Sequence, residues 1–100
     1  MIVCITANGN NLDSEIDPRF GRCSYFIFYD TETKTYEIIP NKWKEAMGGA
    51  GTQAAELVLE KGAKKVITGN VGPKAQAIFK LAGIEVVLTS GKVKDIIENL

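Results

Sequence analysis

One hundred residues, 45% hydrophobic and 24% charged, describe one ordinary globular domain, residues 1–100, and are too apolar for a disordered chain. Twelve basic and twelve acidic residues cancel, so bulk charge supplies no attraction for nucleic acid or an acidic membrane surface. Histidine is absent, no apolar run nears the ~18 residues of a membrane span, and two cysteines make no disulfide framework.

The first residues carry no basic region and no small-residue cleavage pattern, so they are read as a strand of a cytoplasmic protein, not a signal peptide. Residues 2–6 are apolar, β-branched and without alternation, as in a strand buried on both faces. Residues 7–22 are polar and broken by Gly9, Pro18 and Gly21, and long loops of this kind in small domains are often functional. Residues 24–29 and 36–39 read as an antiparallel hairpin joined by a short polar turn, with Pro40 ending the second strand. A helix is predicted over residues 50–61 on the stripe Gly51, Ala54, Ala55 and Val58, with Gly62 as its C-terminal stop. A strand over 65–68 leads through Gly69 to Pro73, which suits a helix's first turn, and that helix closes at Gly83. A fifth strand spans 84–88, and Ser90 is placed as the cap of a last helix.

The order is therefore β-β-β-α-β-α-β-α, a class α/β chain. Strand one up, two down and three up, followed by two crossovers, puts strands four and five parallel to strand one. The loops after strands one, three, four and five then meet at one edge of the sheet. Ligands of open α/β sheets bind at such carboxyl edges. The glycine-rich turns 48–51 and 69–72 fall there, each feeding a helix, and outline a place for an anion.

Three segments carry a resemblance: Asp17-Pro18-Arg19-Phe20-Gly21-Arg22-Cys23-Ser24-Tyr25-Phe26, Gly48-Gly49-Ala50-Gly51-Thr52-Gln53-Ala54-Ala55, and Thr68-Gly69-Asn70-Val71-Gly72-Pro73. In this order they resemble the dinitrogenase iron-molybdenum cofactor biosynthesis domain family, which includes NifX, NafY and the C-terminal part of NifB. The resemblance covers essentially the whole chain. It implies a ribonuclease H-like three-layer fold with a five-strand mixed sheet. It also implies a free-standing small protein that binds or carries an iron-sulfur or iron-molybdenum cofactor or its precursor, with a cofactor-assembly protein as partner. Members that carry the nitrogenase cofactor use histidine among their proposed cluster contacts, and this chain has none.

The candidate cofactor-binding residues are Arg19, Arg22, Cys23, Gly48, Gly49, Gly51, Thr52, Gly69, Asn70 and Gly72, with Cys23 as the candidate metal ligand. Guanidinium groups pair with anionic clusters, phosphates or carboxylates. Arg19 or Arg22 can equally pair with Asp17 or Asp13 to order the loop, and Phe20 is read as a buried anchor. Thiolates ligate iron-sulfur clusters, yet two cysteines fall short of the usual four ligands. A cluster held here would be labile, shared between subunits or capped by its own ligands. The glycines serve an anion or merely a tight turn. Trp43 is open to three roles: lid, interface anchor or core plug. Catalysis is not expected: a P-loop lysine, a carboxylate cluster for two metal ions and a nucleophile–base pair are all missing. Two further readings stay open, a nonmetal anion or nucleotide-like ligand at the same edge, and a protein-interaction module anchored by Trp43 and Phe20.

Overall fold

The computed structural model describes residues 1–100. The strands are β1 (Ile2–Ala7), β2 (Tyr25–Asp30), β3 (Tyr36–Pro40), β4 (Ala63–Thr68) and β5 (Glu85–Leu88). The helices are α1 (Ala50–Glu60), α2 (Pro73–Ala82) and α3 (Val93–Glu98). One mixed sheet has the order β3-β2-β1-β4-β5. The β1–β2 and β2–β3 pairs are antiparallel, and β1–β4 and β4–β5 are parallel. The element order and the strand directions are those expected from the sequence, and the three-layer architecture is the one the resemblance implies.

The unbroken apolar run of β1 has a plain cause, since this strand is central and covered on both faces. Cys4 shares one face with Phe26, Phe28 and Val66, where α1 and α2 pack through Ala54, Val58, Ala75 and Phe79. Val3 and Ile5 share the other face with Ile27, Ile67 and Val93 of α3. Small residues on α1 let it approach the sheet closely. Phe79 packs into this core with no exposed surface, so its truncation to alanine should cost about 3–5 kcal/mol. Proline at the end of β3 costs little because β3 is an edge strand.

Residues 8–22 form a folded return, not an open loop. Ile16 bridges Ala7, and the Asp17 N–H donates to the Thr6 carbonyl at 3.0 Å. This return also explains why Ser90 does not cap α3. The N-terminal position of α3 is Lys92, without a side-chain cap. The Val93 and Lys94 N–H groups donate instead to the Ser14 and Leu12 carbonyls, each at 2.9 Å, so backbone from the return replaces the expected hydroxyl. No helix is long and apolar enough to cross a membrane.

Candidate functional site

Because β1, β3, β4 and β5 point the same way, all three helices start at one edge of the sheet. The α3 start is filled by the return described above. The α1 and α2 starts are not filled, and between them lies a cavity of about 440 Å³. Its wall takes Arg19 to Arg22 from the return, Gly49 to Thr52 from the α1 start, and Asn70 with Gly72 to Ala75 from the α2 start.

Neither helix start has a side-chain cap or an acidic residue in its first turn. The first internal bonds run from the Gln53 N–H to the Gly49 carbonyl and from the Gln76 N–H to the Gly72 carbonyl. The N–H groups of Ala50, Gly51, Thr52, Lys74 and Ala75 therefore have no acceptor within the chain. The charged groups on the wall are Arg19, Arg22 and Lys74, with no carboxylate among them. On a chain of formal net charge zero, this is a local concentration of positive potential.

The two arginines are held differently. Arg19 pairs with the buried Asp17 carboxylate, Nε to Oδ1 at 3.2 Å, and this partner raises its already high pKa. Asp17 is locked from below: Thr6 Oγ1 lies 2.7 Å from the Asp17 carbonyl oxygen and 2.7 Å from Thr68 Oγ1. Arg22 donates through Nη1 to the Lys44 carbonyl at 3.1 Å and to the Ala46 carbonyl. It thereby ties the segment leading into α1 to the return. Asn41 makes a second tie, donating from Nδ2 to the Gly21 and Cys23 carbonyls and accepting from the Trp43 N–H. Trp43 is half-buried against the core beside α1, the plug among its three roles, with Lys42 Nζ 5.1 Å from the ring centroid.

Of the residues singled out in the sequence, Arg19, Arg22, Gly49, Gly51, Thr52, Asn70 and Gly72 come together on the cavity wall. Gly48, Gly69 and Cys23 do not. Gly48 is exposed in the approach to α1. Gly69 is where the Pro18 backbone crosses β4: a Cβ there would sit 2.5 Å from Pro18 Cα. Cys23 is fully buried in the core with Phe20 and Phe26. Burial, with the Asp17 charge adding to it, pushes its thiol up to about 12. Cys4 is raised well above the ordinary value, again first by burial. No three His, Cys, Asp or Glu side chains are grouped closely enough to hold a metal ion.

Phe20 is the expected anchor, packed edge-on to Phe79 at 5.1 Å between ring centroids. Lys74 was missed by sequence reasoning. Its signal was there: a lysine directly after Gly72-Pro73 stands in the first turn of a helix, where acidic residues are favoured.

Comparison with known proteins follows the same lines. The apo form of the orange protein from Desulfovibrio gigas superposes with a TM-score of 0.88 at 36% identity, over 98% of this chain and 84% of that one. A Thermotoga protein provisionally assigned as NifB superposes with a TM-score of 0.82 at 35% identity, over 97% of this chain and 84% of that one. An uncharacterized protein of Methanocaldococcus jannaschii is 39% identical over 77 residues, 74% of this chain and 65% of that protein. The match thus spans just under two thirds of that relative's length. The family model described as dinitrogenase iron-molybdenum cofactor matches residues 1–100, and the chain belongs to that family.

Proposed function

We propose that this protein binds and carries an anionic iron-sulfur or iron-molybdenum-type cofactor, or a precursor of one, as cargo in the cavity between the α1 and α2 starts. One observation carries the reading. Five unpartnered first-turn N–H groups and three cationic side chains share a wall that holds no carboxylate. Such a surface favours a multiply charged anion. Family membership points to the chemical class of that anion.

The mode of holding differs from thiolate ligation. Both cysteines are buried and protonated at neutral pH, and neither lies on the cavity wall. The cargo therefore arrives with its own ligands complete, and the protein holds its outer charge with N–H groups and cations. Release then requires no metal–protein bond to break, which suits transfer to a cofactor-assembly protein. Two buried free thiols fit a reducing, cytoplasmic setting.

Tetrathiomolybdate, a simple molybdenum–sulfur dianion, is a direct probe. Anaerobic titration followed by visible absorption should give saturable binding, weakened in an Arg19→Ala/Arg22→Ala double variant. No binding by the wild-type protein would remove this reading. Because the holding groups are not specific for sulfur, the same titration should include inorganic phosphate and ATP. Binding of either more tightly than tetrathiomolybdate would favour the nonmetal-anion reading of the same cavity.

A further inference from the structure

We infer that Lys74 reads the charge of the ligand in this cavity, a specificity role that rests on the anion-binding reading above. The inference starts from how the cationic groups on the wall are employed. Arg19 is paired with Asp17, and Arg22 is occupied by the Lys44 and Ala46 carbonyls. Lys74 alone of the three makes neither an ion pair nor a side-chain hydrogen bond, although five other cations of the chain are ion-paired. The five are the N-terminal ammonium, Arg19, Lys61, Lys65 and Lys94.

Its position is also unfavourable for the free protein. Lys74 follows Pro73 in the first turn of α2, where the helix dipole repels a cation. The neighbouring wall adds the Arg22 guanidinium and the α1 start, with Asp17 already taken up by Arg19 and no carboxylate on the wall itself. Both defects disappear when an anion enters. The ammonium then gains a partner, and the dipole and the side chain act on the same negative charge.

Asp17 offsets the Arg19 charge and two carbonyls pin the Arg22 guanidinium in place, so the cation free to move onto an added negative charge is Lys74. An ammonium on a flexible four-carbon stem can also follow anions of different shape, which a clamped guanidinium cannot. The ligand class that follows is a dianion or higher, in preference to a monoanion of equal size.

Tetrathiomolybdate and tetrathiorhenate are tetrahedral sulfur anions of similar size that differ by one charge, and are suitable probes. The wild-type protein should bind the dianion more tightly. Lys74→Gln should lose roughly tenfold in affinity for tetrathiomolybdate and much less for tetrathiorhenate, with a shallower salt dependence. Lys74→Arg should restore the preference. Lys74→Gln should also raise the Tm of the free protein by about 2–5 °C, because it removes a repulsion from the helix start. Unfolding of the variant is thus not expected to obscure the result. Wild-type binding with an unchanged preference in Lys74→Gln would overturn this inference and leave the cavity reading intact. Failure of the wild-type protein to bind either anion would overturn both.

Discussion

The exposed Arg19 guanidinium straddles the buried Asp17 carboxylate, with Nε donating to Oδ1 at 3.2 Å and Nη2 to Oδ2 at 3.3 Å. The Arg19 backbone N–H donates to the same Oδ1 at 3.0 Å. Side-chain exposure is 59% for Arg19 and 2% for Asp17, so the carboxylate is the fixed member of the pair. Asp17→Asn preserves the shape but turns an amide N–H₂ toward a donor. It should cost about 1–3 kcal/mol of stability. The substitution also removes the negative charge that offsets Arg19, so tetrathiomolybdate binding should tighten. Urea unfolding and tetrathiomolybdate titration of the variant check both effects, and an unchanged midpoint would show that the pair is dispensable.

The glycines divide into two kinds, and substitution by alanine should separate them. At Gly69 an added Cβ would meet Pro18 Cα at 2.5 Å, and at Gly21 it would meet the Gly51 backbone nitrogen at 2.7 Å. Both clashes are with backbone, which cannot swing aside, so Gly69→Ala and Gly21→Ala should each cost about 1–3 kcal/mol. Gly72 has ordinary extended dihedrals and nothing within 4 Å of a built Cβ. Gly72→Ala should therefore stay within about 0.5 kcal/mol of wild type. Equal losses at all three positions in thermal unfolding would contradict this division.

The same residues show how far the sequence could be read. The unalternating run 2–6 revealed a strand covered on both faces, and the short polar turn revealed the hairpin. With the two helical crossovers, which make β4 and β5 parallel to β1, they brought the glycine turns to one edge. The role of Gly69 was not legible, because it depends on where Pro18 crosses in space, 51 positions earlier in the chain. The α3 cap was misplaced for the same reason, since its acceptors come from Leu12 and Ser14. Cys23 follows a polar loop in sequence, yet the return folds it inward against Phe20 and Phe26. Local pattern shows the elements; close approach between distant segments has no local pattern to show.

Cys23 makes a pH prediction with a definite direction. Its thiol is raised from the ordinary 9.0 to about 12 by burial first and the Asp17 charge second, against the smaller opposing effect of the Asn41 hydrogen bond. The folded protein then keeps this proton at a pH where the unfolded chain releases it. The stability is fully present below pH 9 and is lost as pH rises from 9 toward 12. Cys4 acts in the same direction. Cys23→Ala should decline less steeply than wild type across this window when unfolding is followed by urea titration at each pH. Native Cys23 should also resist iodoacetamide at pH 8 and react once the chain is unfolded. Rapid native labelling would mean the thiol is reachable, and would reopen direct ligation of a metal.

Asn41 holds the approach to α1, and its removal should be felt at the cavity. Its amide donates to the Gly21 carbonyl at 3.0 Å and the Cys23 carbonyl at 2.9 Å, and its oxygen accepts from the Trp43 N–H at 2.9 Å. Asn41→Ala leaves these groups without their side-chain partner in a buried place and should cost about 2–3 kcal/mol. Arg22 and the Lys44–Ser24 hydrogen bond still hold the segment, so the fold should survive. What loosens is the path from Asn41 through Trp43 to Gly49, and with it the position of the α1 start on the cavity wall. Trp43 is the only tryptophan in the chain, so its emission reports this segment alone. A red shift in Trp43 fluorescence, unchanged helical circular dichroism and weaker tetrathiomolybdate binding are expected together. Wild-type affinity in a variant whose Trp43 emission has shifted would show that the α1 start is not part of what holds the anion, and would place the binding energy on the α2 side and the arginines.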